Sequence, residues 1–227
     1  MNGTLFFVGR DEACAELWKS DGTAAGTVRV KDINPGIGCA IINNADALTN
    51  VNDALFFSAN DGTDGAQLWT SDGTSAGTVQ VTEPVTGAAS ASPTELTNSN
   101  GTLLFAADDG VSGSELWKSD GTEAGTALVK DIRAGATGSS PSRLTTSNGT
   151  VFFGADSGAG RRLWKSDGTG AGTVQVSSIA IPAFPWFADM NGTLFFSTGP
   201  DLWKSDGTAA GTIQVADFVI SPETSRT

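Results

Sequence analysis

Three textures of apolar and polar positions follow one another along the chain, always in the same order. In "LFF" segments such as residues 5–8 both alternating faces are apolar, with Leu5 and Phe7 on one and Phe6 and Val8 on the other. Only a strand covered on both sides tolerates that pattern. In "ELWKS" the apolar pair Leu17 and Trp18 gives way at once to Lys19 and Ser20, as in a strand buried in part. In "TVRVKD" Val28 and Val30 share one face and Arg29 and Lys31 the other, the alternation of a strand with one wet side.

A fourth texture precedes these in most copies: "ADALTNVND", "SPTELTNSNG", "SPSRLTTSNG" and "FPWFADMNG". The motif tryptophans Trp18, Trp69, Trp117, Trp164 and Trp203 are separated by 51, 48, 47 and 39 residues. From each of them to the Thr closing "AGT" the distance is nine residues every time, so all length variation lies elsewhere. A period of this size signals stacked supersecondary units. Four strands in order of burial, repeated five times, predict an all-β, five-bladed β-propeller with four-stranded antiparallel blades. The units fall at residues 1–41, 42–89, 90–138, 139–181 and 182–219. The first lacks an innermost segment, and "ISPETSRT" at the end resembles "ASPTELT"; residues 220–227 are therefore expected to close the ring within blade one and remove its open edge. A parallel β-solenoid, the main rival, has shorter coils and would not hold the tight "SDGTxAGT" hairpin.

The five copies of "LWKSDGT" and "LWTSDGT" resemble the ELWxxDGT repeat family of bacterial, mostly secreted or surface-associated, multi-repeat proteins. The resemblance covers nearly the whole chain and implies a propeller-like extracellular or cell-surface module, with no general biochemical activity attached to it. The fourth unit departs with "RRLW" and the fifth with "GPDLW", which breaks the equivalence of five sites.

The bulk chemistry narrows the function. A formal charge of -12 and only 13 Lys and Arg speak against nucleic acid. No long apolar run is present to insert in a membrane, and "MNGTLFFVGR" lacks the charged n-region of a signal peptide. With no His and no Tyr, the commonest general base and the Ser-His and Cys-His pairs are missing, and no pair of carboxylates recurs as a glycosidase would need. The expectation is a non-catalytic module.

Each recurring residue has a structural and a functional reading. The turn residues Asp21, Asp72, Asp120, Asp167 and Asp206 offer one carboxylate apiece, too few oxygens for calcium, and are expected to build the hairpin with Gly at positive φ. The five tryptophans are expected to pack blade on blade, the alternative being a sugar-stacking platform. Asp61 and Asp64 in "NDGTDG" and Asp108 and Asp109 in "DDGVSG" are either a weak calcium site or solvated turns. Cys14 and Cys39 both lie on the variable loop face, so they form a disulfide if the protein is exported or remain free thiols in the cytosol.

In such a meander the constant turns share one face of the disc, and the loops of varying length share the other. Within the innermost segments Leu48, Leu96, Leu144 and Phe187 hold a packing position. One residue earlier stand Ala47, Glu95, Arg143 and Trp186, equivalent positions with unrelated chemistry. Trp186, Arg143 and Glu95 are therefore the candidate rim of a central pocket, against the alternative of plain solvated channel positions. The resulting expectation is glycan or protein binding through the variable face. A rigid assembly domain of a larger adhesin is the alternative, and a polysaccharide-active enzyme the more distant one.

Overall fold

A computed structural model describes residues 1, 3–10, 14–36, 38–41, 48–63, 65–81, 90–183 and 185–218. All regular structure among them is strand, arranged in five antiparallel meanders in chain order. Sheet 1 holds β1 (Leu5–Arg10), β2 (Ala15–Ser20) and β3 (Val28–Arg29). Sheet 2 holds β4 (Thr49–Val51), β5 (Ala54–Asn60), β6 (Ala66–Ser71) and β7 (Val79–Gln80). Sheet 3 holds β8 (Thr94–Ser99), β9 (Thr102–Asp108), β10 (Ser114–Ser119) and β11 (Ala127–Lys130). Sheet 4 holds β12 (Ser142–Ser147), β13 (Thr150–Asp156), β14 (Arg161–Ser166) and β15 (Val174–Ala180). Sheet 5 holds β16 (Phe187–Met190), β17 (Thr193–Thr198), β18 (Asp201–Ser205) and β19 (Ile213–Ala216).

Both faces of the "LFF" strands of sheets 2, 3 and 4 are buried because each of these sheets is sandwiched between its neighbours. One face of sheet 2 (Leu55, Phe57, Ala59, Trp69) packs on Leu17 and Val30 of sheet 1, and its other face (Phe56, Leu68, Val81) packs on Leu103, Phe105 and Trp117 of sheet 3. The same scheme joins sheets 3 and 4 and then sheets 4 and 5. Trp69, Trp117, Trp164 and Trp203 thus face the preceding sheet; the first three are buried and Trp203 is half-buried, as is Trp18, against which no earlier sheet lies among the described residues.

Five sheets in series have four such junctions, and no hydrophobic cluster joins sheet 5 to sheet 1 among the described residues. Leu5 is 62% exposed, whereas its counterparts Leu55, Leu103, Val151 and Leu194 are 5% exposed or less. Val215 on the far side of sheet 5 is 48% exposed, against 9% or less for Val30, Val81, Val129 and Val176. The closing strand expected at 220–227 lies outside the described residues, and sheet 1 shows three strands.

One detail of the alternation is corrected. Val28 and Val30 do not share an environment: Val28 is exposed and Val30 buried, as are Val79 and Val81, and Val174 and Val176. In sheets 3, 4 and 5 the register shifts beside the motif tryptophan, so the outer strand does not keep a strict two-residue period.

Polar side chains lace neighbouring sheets together. On the constant face Asn52 Nδ2 donates to Gly101 O at 2.8 Å and Asn100 Nδ2 to Gly149 O at 2.9 Å, one sheet on each time. Lys19 Nζ reaches Gly73 O at 2.8 Å, and Lys31 Nζ reaches Thr78 O at 2.7 Å. On the opposite face Cys14 and Cys39 form a disulfide with Cα atoms 4.8 Å apart, tying the β1–β2 loop to the segment that leaves sheet 1.

Candidate functional site

The repeated turn is a closed hydrogen-bonded unit. Asp120 Oδ1 accepts from Thr122 N at 2.9 Å and Thr122 Oγ1 at 2.7 Å. Thr122 Oγ1 in turn accepts from Gly125 N at 3.0 Å, and Ser119 Oγ and Thr126 Oγ1 meet at 2.7 Å. The same bonds recur around Asp21, Asp72, Asp167 and Asp206. These donors, first among them the Thr N–H or hydroxyl, hold all five carboxyls below the usual range. The Gly of "AGT" is required by proximity, since a Cβ on Gly125 would strike the Asp120 carboxylate, and likewise at Gly26, Gly77, Gly172 and Gly211.

The acid-rich loops are also spent on their own backbones. Asp61 Oδ1 accepts from Thr63 N and Oγ1 at 2.9 and 2.6 Å, and Asp108 Oδ1 accepts from Gly110 N at 2.7 Å. Asp109 accepts from Val111 N, Ser112 N and Ser112 Oγ. Asp64 lies outside the described residues. No group of three or more His, Cys, Asp or Glu poised for a metal ion occurs among the described residues.

The residue before "LW" is a further polar position, buried in sheets 1 and 3. Glu16 and Glu115 are 2% and 0% exposed, and each gathers the backbone of the segment that leaves its sheet. Glu115 accepts from Ile132 N at 3.1 Å, Arg133 N at 3.0 Å, Ser139 N at 2.8 Å and Ser139 Oγ at 2.6 Å. Glu16 accepts from Ile33 N and Asn34 N. Burial raises both carboxyls above their ordinary value despite these donors. The pairing of "ELW" with "KDI" thirteen residues further on, in units one and three alone, was the legible signal.

On the variable face the structure brings together the three predicted rim residues. A pocket of about 380 Å³ is lined by Glu95 of β8, by Arg143, Leu144 and Thr145 of β12, and by Pro185, Trp186 and Phe187 where β16 begins. The inner strands β4, β8, β12 and β16 are neighbours in turn, so these side chains come from three consecutive sheets.

The backbone explains why they project. In β8 the register shifts between Thr94 and Thr97, in β12 between Ser142 and Thr145, and the bulged residues Glu95 and Arg143 both adopt φ of +58°. A left-handed conformation in a non-glycine residue costs on the order of 1–2 kcal/mol and turns the side chain out of the ladder. The same local bond fastens both bulges: Thr97 Oγ1 donates to Glu95 O at 2.9 Å, and Thr145 Oγ1 donates to Arg143 O at 3.0 Å. Trp186, by contrast, is held by ordinary pairing, its N–H donating to Ser197 Oγ at 2.9 Å and its carbonyl accepting from Ser197 N at 3.0 Å. The residue remains 60% exposed.

The pocket's charges are arranged unequally. Glu95 Oε2 accepts from Leu144 N at 3.2 Å, across the junction between sheets. Nearby Arg161 donates to Ser142 Oγ, Gly154 O and Ser140 O, and its charge acts on Glu95; burial lowers its affinity for its proton while Asp156 and Glu95 raise it. Arg133 pairs with Asp156 at 3.2 Å. The exposed Arg143 guanidinium has no hydrogen bond or ion pair within the described residues.

No protein-family model matches the sequence, and no curated protein matches it either. Solved structures match its fold. Prolyl oligopeptidase B from Galerina marginata superposes with a TM-score of 0.58 at 10% identity, over 94% of this chain and 32% of that one. Puromycin hydrolase gives 0.54 at 14% identity, over 94% and 36%. TolB from Acinetobacter baumannii gives 0.51 at 14% identity, over 90% and 50%. The chain therefore spans about a third of the two hydrolases and half of TolB. At these identities the likeness defines the fold, an all-β, propeller-like stack of antiparallel sheets, and leaves function to the site. No helix among the described residues is long and apolar enough to cross a membrane.

Proposed function

We propose that this protein is a non-catalytic, extracellular binding module that takes a glycan into the Glu95–Arg143–Trp186 pocket, within the ELWxxDGT repeat family that its sequence resembles. One observation carries the reading: three residues of unrelated chemistry, at equivalent positions of consecutive inner strands, converge on one pocket, and two of them stand on strained backbone. Packing does not ask for them, because the neighbouring position already supplies the apolar contact through Leu96, Leu144 and Phe187. An exposed indole beside hydrogen-bonding side chains suits a sugar ring, whose C–H face stacks on the aromatic while its hydroxyls are bound at the edge.

A non-catalytic role agrees with the lining, where Glu95 is the single carboxylate among the described residues, while hydrolysis of a glycoside ordinarily uses a pair. An extracellular setting agrees with the Cys14–Cys39 disulfide, a bond that persists in oxidising compartments. Glycan-array screening followed by calorimetry tests the proposal. Wild-type protein binds an oligosaccharide and Trp186→Ala loses at least about tenfold in affinity; binding that survives Trp186→Ala unchanged places the ligand elsewhere and refutes the site.

A further inference from the structure

We infer that the sugar bound in this pocket carries a carboxylate, that is, a uronic-acid unit; the inference rests on the glycan-binding reading above. The two charged groups of the pocket are in different states. Glu95 is already committed through Oε2 to the Leu144 N–H, and its field is answered by Arg161. Arg143 is fully formed for a ligand and has nothing to bind: it is exposed, without a partner within the described residues, and held outward by the bulge.

The other arginines of this region are engaged. Arg133 sits on Asp156, Arg161 spans Ser140, Ser142 and Gly154, and Arg162 donates to Arg161 O and Ala159 O. On a molecule of net charge -12 an isolated cation would ordinarily find a carboxylate close by. Here the nearest one in the pocket, Glu95, is turned to a backbone amide of the neighbouring strand. A guanidinium presents a planar fork that matches a carboxylate in two parallel bonds, which a neutral hydroxyl cannot reproduce. With Trp186 beneath the ring and Glu95 Oε1 accepting from a ring hydroxyl, Arg143 reads the acid group. The overall negative charge of the protein opposes a polyanion, so recognition is confined to the one unit seated at Arg143 and weakens as salt rises.

The test pairs each of three uronate oligosaccharides, built from galacturonate, glucuronate or mannuronate, with its methyl ester, which keeps the ring and removes the charge. Calorimetry on the intact chain is expected to show at least one acid bound about tenfold or more tighter than its ester. Arg143→Asn, chosen because Asn tolerates positive φ, is expected to erase that difference, so that within the variant the acid binds no tighter than its ester. Trp186→Ala weakens acid and ester together. If acids and esters bind equally, or if only neutral oligosaccharides bind, the carboxylate inference falls and the glycan site stands. If neither acids, esters nor neutral sugars bind, the site reading falls and takes this inference with it.

Discussion

Glu115 is the most exacting place to perturb the scaffold. Its carboxylate is the common acceptor for three backbone amides and one hydroxyl from the segment 132–139, all within 3.1 Å, in a site of 0% exposure. Hydrogen bonds to a charged group contribute about 1.5–3 kcal/mol each, and a buried donor left without acceptor costs about 1–3 kcal/mol. The bonds are not additive, and part of the segment can rehydrate when released. Glu115→Ala is therefore expected to lower stability by about 3–5 kcal/mol. Glu115→Gln keeps one acceptor oxygen and turns an amide NH₂ toward backbone donors, for an expected loss of about 2 kcal/mol. Urea unfolding followed by tryptophan fluorescence measures both. Hydrogen exchange should show the amides of Ile132, Arg133 and Ser139 opening first. The sign of the pH effect is also fixed. Burial raises the folded carboxyl above its ordinary 4.5, so the folded state holds this proton more tightly than the unfolded chain. Its contribution is full below 4.5 and is lost as pH rises through the raised value; in Glu115→Gln that part of the slope disappears. A loss under about 1 kcal/mol for Glu115→Ala, with unchanged denaturant slope, would refute the assignment of Glu115 as the organiser of this segment.

Other perturbations probe the remaining elements. Leu103→Ala is expected to cost about 3–4 kcal/mol and Leu5→Ala under about 1, since the first is buried and the second open; equal losses in urea would show the outer faces of sheets 1 and 5 meeting in a closed ring. Gly125→Ala should destabilise by about 1–3 kcal/mol in the same assay by driving a Cβ into the Asp120 carboxylate. Acidification below 3.8 should loosen all five turns, because carboxyls held low in the folded state give up their stabilisation as pH falls through the folded values; an unfolding curve flat across that range contradicts it. Reduction of Cys14–Cys39 is expected to lower stability by about 3 kcal/mol through release of the unfolded chain, read as a fall in Tm under reductant.

The fold was legible because its period is written in large residues. The Trp spacing and the two-faced "LFF" strands carry the five meanders, and the invariant nine residues from Trp to Thr carry the hairpin. The rim residues were legible for the opposite reason: Glu95, Arg143 and Trp186 vary where their neighbours do not. What stayed hidden is long-range or conformational. No local pattern marks the bulges that set Glu95 and Arg143 at positive φ, since Glu and Arg carry no preference for that region. The burial of Glu115 depends on the segment 132–139 folding back over it, and a strand-by-strand reading sees only a polar residue at a strand end. The exposure split between Val28 and Val30 escapes a reading by alternation alone, which puts both on one face.

The unequal exposure of Leu5 and Val215 also bears on how blade number is counted. Repeat arrays that stop growing usually end in units with polar outer surfaces. Here both terminal sheets present the apolar surface that every internal sheet uses, one bearing the donor half of the junction and the other the acceptor half. A row of such units has one junction fewer than it has units, and a ring has as many junctions as units. Joining the two ends would thus add a whole junction without adding a residue, and a further unit of the same pattern would add one at either end. Among the described residues these two faces stay open, and they are where a ring would close or a further unit of the same pattern would dock.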